Sequence, residues 1–212
     1  MKASIKSKVV LAALTAALLG ASTLSAVGAE SAASVAQKGL AELAKGVYST
    51  GPNGEKAAAA SSLKFTAAEL TKLKAMKATA AISFHLTSDW TSGQQAGLTK
   101  RFGELGIKIV GVTQADFKAD VQVSQIQTLM AKKPNILVSI PVDGQATAGA
   151  YKAAAAAGAK IVFMDNTAAG LTVGKDYVSV VSADNYANGA ASAYLLGREL
   201  NGKGTIALIY HA

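Results

Sequence analysis

From residue 78 onward, short apolar runs alternate with stretches whose apolar residues recur every three or four positions. The runs at 80–86, 107–113, 136–141, 160–165 and 177–182 are nearly continuous in apolar residues, which predicts strands buried on both faces. Between them, Leu98, Phe102 and Leu105 share one face of a predicted helix over 92–105. Val123, Ile126 and Met130 do the same over 120–132, and residues 145–157 and 186–200 read as two further helices. Gly106 and Gly158 supply helix stops, and Pro134 lies beyond the end of the 120–132 helix. A last apolar run, 205–210, predicts a sixth strand.

Alternating strands and helices with short connections predict an α/β fold, a doubly wound parallel sheet covered by helices on both faces. Right-handed crossovers place the first strand near the middle of that sheet. The sixth strand has no helix after it, so residues 184–212 read as the start of a truncated second lobe. Residues 77–183 then form the ligand-binding lobe. Residues 30–76 are Ala-, Ser- and Lys-rich and read as an N-terminal extension with a turn at 50–54 and short helices over 35–43 and 66–76. Thr66 followed by Glu69 predicts a capping box for the second of these.

The N-terminus changes the picture of where the protein works. Lys2, Lys6 and Lys8 precede an apolar run over 9–19 and the small residues Ala26-Val27-Gly28-Ala29. This is the layout of a signal peptide, residues 1–29, cleaved after Ala29. Its apolar core is shorter than the roughly 18 residues a membrane span requires, so stable membrane insertion is not expected. The absence of cysteine removes disulfides, thiolate metal sites and a lipidated N-terminal cysteine, which points to a free protein in a periplasm. The formal charge of +8 includes the three signal lysines, and the remaining excess is dispersed in doublets, so no nucleic-acid surface is expected.

Candidate chemistry gathers at the ends of the apolar runs, where open α/β sheets bind ligands. IVFM ends in Asp165-Asn166, and VSVVS ends in Ala183-Asp184-Asn185. His85 and the loop residues Asp89 and Trp90 follow the first run, and Asp143 follows the third. Trp90 offers a ring face to a C–H-rich ligand face, or lids the core. Asp165 and Asn166 can accept and donate hydrogen bonds to hydroxyls, or cap a turn. His85 reads as a ligand contact or a satisfied rim histidine, and Asp143 as a ligand contact or a turn residue. Asp184 suits the cap of the helix that follows it. With only two histidines, a histidine metal cluster is not expected, and no cofactor motif is present. G-x-S-x-G, the P-loop and H-E-x-x-H are also missing, which weighs against an enzyme.

The segments FHLTSDWTSGQQAGL (84–98), ILVSIPVDG (136–144), KIVFMDN (160–166) and VSVVSADNYANGA (178–190) together resemble type I periplasmic sugar-binding proteins of ABC transporters, the ribose-binding-protein-like group. The resemblance implies two doubly wound lobes that close on a sugar-like ligand and present it to an ABC transporter permease. It implies ring stacking by Trp90 with Asp89 beside it, and hydroxyl contacts from Asp165 and Asn166. It also implies a crossover between lobes at Ser182, Asp184 and Asn185. Where many relatives have Asp-Arg this chain has Asp165-Asn166, and the usual Asn-Pro-Phe is replaced by Ser88-Asp89-Trp90. A periplasmic sugar sensor feeding a signalling receptor is the alternative function. A LacI-type regulator shares the core but needs a helix-turn-helix where this chain carries the export signal.

Overall fold

The computed structural model describes residues 30–208, so the signal peptide expected over 1–29 and His211 lie outside the described residues. Five strands form one parallel sheet: β1 (Thr79–Phe84), β2 (Lys108–Gln114), β3 (Ile136–Ser139), β4 (Lys160–Met164) and β5 (Ser179–Val181). Their spatial order is β2-β1-β3-β4-β5. The order reverses direction between β1 and β3, and such a switch point opens a crevice at the carboxyl ends of the strands.

Six α-helices accompany the sheet among the described residues: α1 (Ala32–Leu43), α2 (Ala67–Ala75), α3 (Asp89–Glu104), α4 (Ala119–Met130), α5 (Ala148–Ala156) and α6 (Asn185–Glu199). Helices α4 and α5 bury Ile126, Leu129, Tyr151 and Ala154 against Leu137, Ile161 and Phe163. Leu98 and Phe102 of α3 pack with Ile82, Phe84, Val138 and Met164 in a second apolar cluster. Strands covered in this way need apolar residues on both sides, which is why their runs are continuous.

The extension over 30–76 divides into parts with different seats. Helix α2, with its Thr66–Glu69 capping box formed, sets Leu70 and Leu73 against Ala78, Ala80, Leu105 and Ile107. Helix α1 instead runs beside α6. Thr205–Leu208 forms no strand: Ile206 and Leu208 are exposed, and none of the described strands pairs with them.

Candidate functional site

A buried polar floor lies directly under the carboxyl ends of β1 and β3. Ser139 Oγ donates to Ser83 O (2.8 Å), and the Tyr151 hydroxyl then donates to Ser139 Oγ (2.7 Å). Burial holds the Tyr151 phenol far above its ordinary range, so it stays protonated as that donor. Beside it, Gln122 of α4 is fully buried. Its Nε2 donates to Ile140 O (2.9 Å) and its Oε1 accepts from Val142 N (2.7 Å). Pro141 lies between those two residues and has no N–H, so the chain leaves the sheet there. The Gln122 amide pairs with the backbone as a neighbouring strand would.

Above this floor the strand ends deliver the candidate residues. Ser88 caps α3 reciprocally with Thr91, so the helix begins at Asp89. Asp89 and Trp90 therefore stand in the first turn of a helix, not in a loop as the sequence led us to expect. Trp90 is 46% exposed, and its ring meets His85 edge-on with centroids 6.3 Å apart. Phe117 also meets His85 edge-on, with centroids 5.3 Å apart, and is itself largely exposed. It is held there by its own N–H, which donates to His85 O (2.8 Å). Both Asp116 and Phe117 adopt positive φ (48° and 57°), an uncommon conformation for side chains with a Cβ and one that clusters at functional sites.

His85 is half-buried, and its Nδ1 has no hydrogen-bond partner. Desolvation lowers its pKa below 6.5, and the nearby Asp165 carboxylate partly offsets that shift. The imidazole is thus neutral near pH 7, able both to donate and to accept. Asp165 has φ 63°, at the centre of a turn closed by Asn166 N donating to Met164 O (2.7 Å). Its Oδ1 accepts from Ser182 Oγ (2.8 Å) and Asn185 Nδ2 (3.1 Å). Sequence reasoning separated Asp165 as a ligand residue from Ser182 and Asn185 as crossover residues, and the structure joins them in one hydrogen-bonded set. Asn166 lies exposed beside it.

Two further candidates make local caps. Asp143 Oδ1 accepts from Gln145 N (2.9 Å) and Ala146 N (2.7 Å), the capping geometry of a turn. Asp184 caps α6 through Ala187 N (3.0 Å) and also binds Tyr48 and Ser49 from the N-terminal segment. The hydrogen bonds of Gln122 and the rings around Phe117 went unnoticed in the sequence. Among the described residues no group of three or more His, Asp or Glu side chains could hold a metal ion, and no helix is long and apolar enough to cross a membrane.

The residue types at this mouth can stack on, and hydrogen-bond to, a small polyhydroxylated molecule. Residues 80–212 match the family model described as periplasmic binding protein domain. No curated protein matches the chain. Among solved structures, a myo-inositol binding protein from Caulobacter, solved with myo-inositol, is 24% identical with a TM-score of 0.51, covering 58% of this chain and 40% of its own. A sugar-binding protein of a sugar ABC transporter from Bacillus halodurans is 21% identical with a TM-score of 0.53, covering 60% and 43%. A solute-binding protein from Agrobacterium vitis, bound with alpha-D-tagatopyranose, is 24% identical with a TM-score of 0.51, covering 57% and 43%. These likenesses support the fold, and the chain spans about two-fifths of the length of each of these structures. The family match covers more than half of the chain, which therefore belongs to the periplasmic binding protein family.

Proposed function

From that membership we propose that the chain carries the ligand-binding lobe of a periplasmic substrate-binding protein that captures a sugar or polyol for an ABC importer. The observation that carries this reading is the mouth at the β1/β3 switch point. Two exposed aromatic residues meet a neutral histidine edge-on there, with the Asp165–Ser182–Asn185 set close enough for its carboxylate to act on that histidine. Rings supply stacking surfaces for C–H faces, and the polar set supplies acceptors and donors for hydroxyls. Trp90, Asp165, Asn166 and His85 are assigned to the ligand, with Phe117 added to them. Asp89 lies beside Trp90 and is kept as a peripheral contact. Asp143 is assigned to its turn. Residues 182–185 are assigned as the crossover into a second lobe whose closure completes the site, a mode of motion known for periplasmic binding proteins in general.

The test is a calorimetric and thermal-shift screen of the full-length mature protein against pentoses, hexoses and cyclitols. Trp90→Ala should weaken the ligand found in this way by about 1–3 kcal/mol, and that ligand should change the fluorescence of the only tryptophan. Unaltered affinity with a flat fluorescence titration would remove Trp90 from the site. Export is part of the same proposal. N-terminal sequencing of protein from the periplasmic fraction should read Glu30-Ser31-Ala32, and an intact Met1 there would refute cleavage after Ala29.

A further inference from the structure

Residues 30–56 precede the family match, which begins at 80, and they lie across the connection from β5 to α6. On the β5 side, Asn53 Nδ2 donates to the Tyr177 hydroxyl (3.5 Å). A bridge between Thr50 and Lys56 closes this part of the segment into a tight turn. On the α6 side, Tyr48 and Tyr186 stack with centroids 6.3 Å apart and planes 25° from parallel. Tyr186 N donates to Ser49 Oγ (3.1 Å). Farther along, α1 lies on α6 with Gly39 against the Tyr194 ring, where an added Cβ would stand 2.2 Å from a ring carbon. Any larger residue there requires the Tyr194 ring or α1 to move.

Between these two anchorages sits Asp184. Its Oδ2 accepts from Tyr48 N (2.6 Å), and its Oδ1 accepts from Ser49 N (3.0 Å) and Ser49 Oγ (2.7 Å), beside the cap bond from Ala187 N. One carboxylate thereby fastens segments 135 residues apart in sequence. The N-terminal segment touches the chain before the crossover, at it and after it. Any rotation about residues 182–184 changes the spacing between Tyr177 and α6, which this segment spans.

We propose that residues 30–56 are a strap across the hinge, with Asp184 as its latch, and that the strap restricts rotation of one lobe against the other. The inference rests on reading residues 182–185 as the crossover between lobes. A strap anchored on both sides must stretch or let go before the hinge can swing widely, so its release widens the range of lobe orientations.

Asp184→Asn isolates the latch. The asparagine carbonyl can still accept from Ala187 and Ser49, while its NH2 group faces the Tyr48 N–H, where the second carboxylate oxygen had accepted. Gly39→Leu acts separately, wedging α1 away from Tyr194. The chain has no cysteine, so Thr99→Cys on α3 and Ala193→Cys on α6 provide two spin-label sites in the full-length protein. Both Asp184→Asn and Gly39→Leu should speed amide exchange at Tyr48 and Ser49 by about tenfold or more. Both should also broaden the label-to-label distance distribution by about twofold or more.

Rapid exchange at Tyr48 and Ser49 in the unaltered protein, or an unchanged distribution after protection is lost, would overturn the strap. Addition of myo-inositol, D-tagatose and L-arabinose as probes separates the two ideas. A probe that shifts the distance while the variants leave its width unchanged sinks the strap alone. Distances insensitive to every probe count against ligand-driven closure, and the width in the two variants still decides the strap.

Discussion

The sheet lobe and the α1–α6 pair sit side by side and are held by different physics. In the lobe, Phe163 is fully buried and meets Tyr151 and Tyr177 edge-on at 4.9 and 5.4 Å. Five parallel strands and helices α3, α4 and α5 close around such residues. Helix α6 buries none of its residues fully, and Leu195, Leu196 and Leu200 remain exposed along it. Its seat combines one buried alanine of α1, a glycine against a tyrosine ring, the Tyr48–Tyr186 stack and a few polar contacts, most of them centred on the Asp184 carboxylate. Apolar burial scales with area and tolerates small shifts, whereas hydrogen bonds to a single group fail together when that group moves. The contrast therefore predicts a stable lobe with a separately opening attachment.

The largest effect should come from the core. Phe163→Ala removes an aromatic ring from a close-packed site and should destabilise the lobe by about 3–5 kcal/mol in urea unfolding. Amides of α1 should then keep exchange rates set by their own local opening. If their protection falls in step with that of the lobe, the two regions form one cooperative unit and the contrast collapses.

A smaller effect sharpens the other side of the comparison. Hydrogen bonds from Tyr48 N and Ala187 N, the largest contributors, hold the Asp184 carboxyl down at about 2 against an ordinary value of 3.8. A depressed carboxylate stabilises the folded contact fully above the unfolded value and loses that contribution as pH falls through the folded one. Protection at Tyr48 and Ser49 should accordingly hold above about pH 4 and fade toward pH 2, faster than protection in β1 or β3. Parallel fading in both regions would show that acid acts on the whole lobe and not on the latch.

The smallest effect concerns the mouth. His85 should titrate below 6.5 by NMR, because burial favours its neutral form. Asp165→Asn removes the charge that opposes this shift and should lower the value further. A His85 pKa unmoved by that change would place Asp165 too far away to share a ligand with it.

The strands and most helix faces were legible in the sequence because burial on two sides leaves continuous apolar runs. The start of α3 was missed because its capping box uses Thr91 at the third position, not the Glu or Gln that makes such a box readable. Phe117 was missed because two consecutive left-handed residues with side chains carry no glycine to mark them. Gln122 looks like an ordinary polar residue between Val121 and Val123, and only the leftover backbone groups around Pro141 give it a partner. The cap at Asp184 could be read from residues close by, but its bonds to Tyr48 and Ser49 could not, since spacing patterns report only neighbours. The run at 205–210 showed the reverse failing: in its described part, Thr205–Leu208, a strand-like pattern is exposed and pairs with no described strand.

The buried Gln122 amide has a consequence for how the mouth could change over generations. It joins the seat of α4 to the backbone at Ile140 and Val142, so the position of the β3 end is inherited from the packing of a helix outside the proposed ligand contacts. A substitution at Ile126 or Leu129 that shifts α4 by a fraction of an ångström would carry that shift to the rim. Selection for a new ligand can therefore act on the back of the sheet, leaving Trp90 and Asp165 untouched while the space between them is redrawn.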